Sequence, residues 1–420
     1  MMDTNPSTFY HSPAVREFNA NARRNNLEGL SAYDLSEPAL IAAAQKETGL
    51  MRFGEESFLP VMRLLLAAIE SEAKLNPFGR FIAKSRTMRA LKNRLWTNAM
   101  FEAHPEILRH KIVAPIVIVG PHRSGTTRLQ HLLATDSQLQ HLTAWEGLNP
   151  TPRPGQSDLG KTDRYEEASK MLDGKDRIYP GSFDAHPMKA DWAEEEMLLM
   201  TQSFCGFAPL AQYRVPSYYR WFVEGDKTFG YQELADLLRL ISWSRGNPDN
   251  KRWILKNPQH MLDLDLLLKV FPDARLVFTH RDPIKTVGSV MSLMWYYAVQ
   301  HTDAGCREGI RDVWMDFCER SARNCMEVRE SIPASQQLDV YYDETNRDWG
   351  AVMRRIYDFA GIDFTPAIEQ RMSAFQDKSA AEKRHGGHRY SLEDFGTSDA
   401  EVDARMMFVR KRYDIPYESR

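Results

Sequence analysis

Residues 116–127 read Ile116-Val117-Ile118-Val119-Gly120-Pro121-His122-Arg123-Ser124-Gly125-Thr126-Thr127, and they decide the fold. The first four are β-branched with no polar alternation, the pattern of a strand covered on both faces in a parallel sheet. A loop containing Gly120 and Gly125 follows, and then Leu129, Leu132 and Leu133 mark one face of a helix. Strand, Gly-containing loop and helix in that order make an anion site, because the first helical turn offers unpaired N–H groups and the positive end of the helix dipole.

Outward from this unit the same order repeats. Arg252–Lys256 precedes a Leu-rich helix over Met261–Val270, and Arg275–His280 precedes a helix opened by Asp282 and Pro283. Leu338–Tyr342 leads into a helical stretch over Trp349–Ala360. Alternation of this kind predicts an α/β fold: a P-loop-type parallel sheet flanked by helices. Residues 1–110 are expected to form a helical N-terminal region. Ser36-Glu37-Pro38 and Gly49 bound one helix, apolar residues crowd one face over Glu55–Leu75, and Met88, Leu91 and Leu95 mark a third. Residues 111–420 then hold the α/β domain, with a large insertion at about 138–250 after the first βα unit. That insertion is rich in aromatics and Pro and carries an acidic helix over Asp191–Met200.

The 420 residues are 43 % hydrophobic and 26 % charged. Lys and Arg total 54 against 57 Asp and Glu, so the net charge of −3 offers no general field for nucleic acid and any anion site is local. Cys205, Cys306, Cys318 and Cys325 lack the spacing of a zinc site or a CxxC pair and read as reduced thiols. The longest apolar run, Val61–Ile69, is interrupted by Arg63 and falls short of the roughly 20 residues a spanning helix needs. With no basic start followed by an apolar stretch at the N-terminus, the expectation is a cytoplasmic protein without a transmembrane segment. The N-terminal helices offer a surface for homo-oligomer formation.

In a Walker A loop, GxxxxGK[ST], backbone N–H groups wrap the phosphates and the Lys reaches the outer ones. Gly120 and Gly125 keep the spacing here, but Thr126 stands where the Lys belongs and Arg123 is the loop's cation. That disfavours ATP and GTP.

The run Pro121-His122-Arg123-Ser124-Gly125-Thr126-Thr127 after a buried strand resembles the 5′-phosphosulfate loop of sulfotransferases, which use 3′-phosphoadenosine 5′-phosphosulfate (PAPS). The resemblance implies that Arg123 meets the sulfuryl group and 5′-phosphate, with Ser124, Gly125, Thr126 and Thr127 around them. Residues 280–290, HRDPIKTVGSV, are similar to the family's 3′-phosphate element, with Arg281 and Ser289 as the matching residues. Arg281 lies at the carboxyl end of a strand, where open α/β sheets bind ligands, and Ser289 about two turns into the next helix. Trp253–His260 resembles the strand and turn that carry a Lys near the bridging oxygen, a role that falls to Lys256. The segments VYYDETNRDWGAVMRRIYDFAGI and HRYSLEDFG resemble distal parts of the bacterial branch, so the likeness runs over roughly 115–396.

The resemblance implies in-line transfer of a sulfuryl group from PAPS to an acceptor hydroxyl or amine, with charge stabilisation by Arg123 and Lys256 and no metal required. The acceptor is a small molecule, a glycan or a lipid, met on the insertion side. A general base is expected, and two residues compete for it. Glu146 lies where some sulfotransferases carry a catalytic Glu. His260 follows Lys256 as the family's base His does, except that Pro258 occupies the position two after the Lys and the His comes two later. Residues 383–389, with Lys383 and Arg384, are either a solvated basic run or a clamp over the 3′-phosphate. Tyr390 beyond it then edges the acceptor pocket, and His122 is read as solvated. Two other readings compete: a P-loop kinase using Leu338-Asp339-Val340-Tyr341-Tyr342-Asp343 as its magnesium-carboxylate strand, and a non-catalytic nucleotide-binding protein. Trp192, Phe204, Phe207, Tyr213, Tyr218, Tyr219 and Trp221 suit an apolar pocket or a core equally.

Overall fold

The computed structural model describes residues 11–27, 33–180, 188–246, 251–382 and 390–418. Its centre is a sheet of five parallel strands: β1 (Ile116–Val119), β2 (Leu139–His141), β3 (Arg252–Lys256), β4 (Arg275–His280) and β5 (Gln337–Tyr341). Their order across the sheet is β2-β3-β1-β4-β5. All four β1 side chains are fully buried because helices cover both faces. Ile116 and Ile118 pack with Leu129, Leu132, Met353 and Ile356, whereas Val117 and Val119 join a second cluster with Leu234, Leu238 and Leu267.

Chain order and spatial order part at β1, which has β3 on one side and β4 on the other. Pairs such as Ile118 with Lys256 and Val119 with Phe278 bring the carboxyl ends of the three strands level. The loops leaving them therefore open into one crevice, the usual ligand position in such sheets.

The structure corrects the sequence reading in four places. An edge strand, β2, lies at the start of the insertion; three residues reading Leu-Gln-His are too short and too polar to signal a strand. A fourth N-terminal helix, Pro13–Arg24, is capped by Ser12, whose Oγ accepts from Val15 N at 3.3 Å. It buries only Val15, Asn19 and Ala22, which leaves little apolar stripe to read. The helix after β3 starts at Leu264, preceded by a 3-10 turn over Pro258–Met261. Of the acidic helix over Asp191–Met200, only Met197–Met200 is helical; Ala193 bridges instead to Thr143.

The remaining N-terminal helices are Glu37–Thr48, Phe58–Glu72 and Pro77–Ala103. Phe58, Met62, Leu91 and Leu95 share one apolar cluster with Val290, Met291, Trp314, Phe317 and Met406 from helices that follow β4 and β5. Phe204, Phe207, Tyr213 and Tyr218 belong to the same cluster, so these four aromatics are core; Tyr218 further donates to the Phe204 carbonyl at 2.7 Å.

Candidate active site

The loop after β1 is drawn tightly against β4. A Cβ on Gly120 would lie 1.8 Å from Thr279 Oγ1, so no larger residue fits. Ser124 Oγ donates to the Pro121 carbonyl at 2.7 Å and shares a 2.6 Å hydrogen bond with the Thr279 hydroxyl. Arg123 holds a left-handed φ of 68°, a conformation that costs a non-glycine residue energy and is retained where the surroundings over-determine it. Gly125, at φ 90°, caps the helix Thr126–Leu133, whose first turn faces the crevice.

Three basic residues converge on this loop. From β3, Lys256 Nζ donates to Thr127 Oγ1 at 3.2 Å and forms an ion pair with Glu195. From beyond β4, Arg281 Nη1 donates to the Arg123 carbonyl at 2.7 Å, and its guanidinium stacks 3.8 Å from the Tyr342 ring. Arg123 Nε in turn donates to Ser289 Oγ at 3.2 Å. Burial, and then the neighbouring Arg281 cation, lower the pKa of Arg123, the signature of two guanidinium groups confined together. Gly288 has no room for a Cβ because Tyr390 Cε2 would stand 2.4 Å away, which puts Tyr390 beside Ser289.

Sequence reasoning missed two carboxylates of this site, because it took them for part of an acidic helix and gave them no role. In the turn before Met197, Glu195 reaches Lys256 Nζ, while both oxygens of the buried Glu196 accept from Lys256 N at 2.9 Å. Three consecutive acids directly before an apolar run were the available signal.

The two expected bases sit differently. His260 is fully buried; its Nδ1 is 3.0 Å from the Tyr231 hydroxyl, and its Nε2 is 3.6 Å from Glu196 Oε2 with no hydrogen-bond partner among the described residues. Glu146 closes a capping box with Thr143 and takes both Nε and Nη2 of Arg245, the former at 2.7 Å. Burial pushes its carboxyl up, but Arg245 and Thr143 more than offset this and hold it below the usual carboxylate range. Its described contacts are with Thr143 and Arg245, none with the loop.

His122, read as solvated, packs edge-on against Phe207, Trp314 and Phe317 instead. Asp339 is held by His280 at 2.6 Å and Arg329 at 3.0 Å. Burial raises that carboxyl, yet these two partners leave it far below its ordinary value, tied into an ion cluster. Lys383 and Arg384 lie outside the described residues. Among those described, no helix is long and apolar enough to cross a membrane.

A model described as the sulfotransferase family matches residues 115–366, which span the loop, β3 with Lys256, β4 with Arg281, and β5. The chain belongs to the sulfotransferase family. This sulfotransferase is 24 % identical over 284 residues to omega-hydroxy-beta-dihydromenaquinone-9 sulfotransferase of Mycobacterium bovis, covering 63 % of this chain and 68 % of that one. In structure it is similar to sulfotransferase STF9 from Mycobacterium avium, with a TM-score of 0.79, 27 % identity and coverage of 92 % of this chain and 98 % of the other. Sulfotransferase STF1 from Mycobacterium tuberculosis gives a TM-score of 0.72 and 29 % identity, over 88 % and 98 % of the two chains. The sulfotransferase is thus a transferase of sulfuryl groups, built on the mixed α/β fold of these relatives.

Proposed function

We propose that this sulfotransferase takes its sulfuryl group from PAPS and passes it to a hydroxyl group carried by a lipid. The observation that carries the reading is the meeting of Arg123, Lys256 and Arg281 around a loop whose Walker lysine position is Thr126. Arg281 and Ser289 suit a 3′-phosphate, and Arg123 with the loop N–H groups suits the 5′-phosphate and sulfuryl oxygens. Lys383 and Arg384 remain candidates for the 3′-phosphate side. The M. bovis relative, which by its name acts on a hydroxylated menaquinone lipid, supports a lipid acceptor. Four unpaired cysteines suit a reducing, cytoplasmic setting.

PAPS supplies a sulfur that accepts the acceptor oxygen as its bond to the 5′-phosphate oxygen breaks, and PAP leaves with that electron pair. Lys256 offers its ammonium to the leaving oxygen, where charge builds. Arg123 offsets charge on the sulfuryl oxygens. For the acceptor proton the contacts favour Glu195 over His260 and Glu146. Both Glu146 oxygens are held by Arg245 and His260 pairs with Tyr231 and lies beside Glu196, whereas Glu195 is bound to Lys256 itself. As Lys256 turns toward the leaving oxygen, the Glu195 carboxylate is released to take the proton.

Thermal shift tests the donor. PAP is expected to raise the melting temperature without Mg²⁺ and by more than ATP does, since a ligand stabilises the state it binds. Strong Mg²⁺-dependent stabilisation by ATP beside no effect of PAP refutes the reading.

A further inference from the structure

The donor-side arginine already holds a carboxylate. Arg281 Nε donates to Glu418 Oε1 at 2.8 Å and Nη2 to Glu418 Oε2 at 2.9 Å. That Nε–Nη2 edge is the planar fork by which a guanidinium takes two oxygens of a phosphate or carboxylate at once. The third nitrogen, Nη1, donates to the Arg123 carbonyl.

Glu418 is carried to this edge by a fastened segment. Its own N–H donates to Asp282 Oδ2 at 2.8 Å, and Asp282 Oδ1 accepts from Arg410 Nη2 at 2.7 Å. Arg410 Nη1 donates to the Ile415 carbonyl at 3.0 Å, and the Tyr417 ring stacks 3.6 Å from the same guanidinium while its hydroxyl donates to Asp403 at 2.7 Å. The segment Ile415–Glu418 is thus pinned to the helix Asp399–Tyr413 and to the cap of the helix after β4. The pair keeps some access to water, with Arg281 20 % and Glu418 19 % exposed, so an incoming anion can reach it.

We propose that Glu418 is an internal competitor for the 3′-phosphate: its carboxylate occupies the fork of Arg281 in the free enzyme and gives way when PAPS or PAP binds. This rests on the donor reading above. A phosphate and a carboxylate cannot share one bidentate edge without bringing like charges together. Each donor molecule must therefore release Glu418, and donor and product both bind less tightly than Arg281 alone would allow. A nucleotide lacking the 3′-phosphate leaves the pair undisturbed.

Isothermal titration of the full chain with PAP and with AMP, in wild type, Glu418→Gln and Glu418→Ala, tests this. The two variants are expected to bind PAP about tenfold more tightly, equivalent to about 1.4 kcal/mol, with AMP affinity unchanged. In an Arg281→Ala background the same substitutions are expected to leave PAP affinity where it was. Unchanged or weakened PAP binding in both variants shows that Glu418 merely orients Arg281, and overturns the proposal. Equal tightening for AMP overturns it too, by assigning the effect to the general field. If no form, wild type included, binds PAP, the donor reading itself falls; PAP binding with no response to Glu418 defeats the competitor alone.

Discussion

Arg123 donates from Nε to the Ser289 hydroxyl at 3.2 Å, joining the loop after β1 to the helix after β4. With Arg281 on the Arg123 carbonyl at 2.7 Å, the residues matched to the donor's two ends form one continuous basic floor. Loss of one member is therefore felt by the other.

Arg281→Ala should weaken PAP binding by about 1.5–3 kcal/mol, the range for a hydrogen bond to a charged group, and Ser289→Ala by about 0.5–1.5 kcal/mol. Titration calorimetry reads both. Wild-type affinity in Arg281→Ala removes that residue from the donor site.

The Lys256–Glu195 pair is buried, so breaking it from one side strands a charge. Glu195→Gln should cost about 3–5 kcal/mol in urea unfolding, and the double change Lys256→Met with Glu195→Gln should recover much of that while abolishing turnover. Additive losses in the double variant would show that the two groups do not depend on each other.

Three candidates for the acceptor proton can be separated by rate. With a panel of hydroxylated lipids as acceptors, Glu195→Gln should lower turnover by about 10²–10⁴ and leave PAP affinity nearly intact. Full turnover there, beside collapse in His260→Ala or Glu146→Gln, returns the role to that residue.

Glu146 has a depressed carboxyl pKa in the folded state, so its contribution is complete above the ordinary carboxylate value near 4.5 and is lost as pH falls through its folded value. Glu146→Gln should cost about 1.5–3 kcal/mol at neutral pH by unpairing Arg245. The gap between wild type and variant should then narrow as pH falls below about 4.5. A gap that stays constant down to pH 2 would mean that Glu146 does not titrate in the unfolding reaction.

Two glycines should respond oppositely. Gly120→Ala forces a methyl into the Thr279 hydroxyl and should destabilise the loop and weaken PAP binding. Gly174→Ala, inside the helix Lys161–Ile178 with nothing within 4 Å of its Cβ position, should stabilise the protein by about 0.5–1 kcal/mol. Melting curves of the two variants check the contrast.

Local chemistry was legible in the chain itself. Ile116–Val119 announces a buried parallel strand because β-branched residues without alternation suit a sheet covered on both faces. Gly120, Gly125, Asp282 and Pro283 mark turn and cap because their backbone needs are met within a few residues. Thr126 in place of lysine narrowed the ligand for the same local reason. Contacts between distant segments were decided by the tertiary structure alone. Glu195 meets Lys256 across 61 positions and Glu418 meets Arg281 across 137, and no period or spacing encodes such pairs. They exist because the sheet order β2-β3-β1-β4-β5 brings three strand ends level and the insertion folds back over them. β2 escaped notice for the same reason: its three residues are a strand only because β3 is there to pair with them.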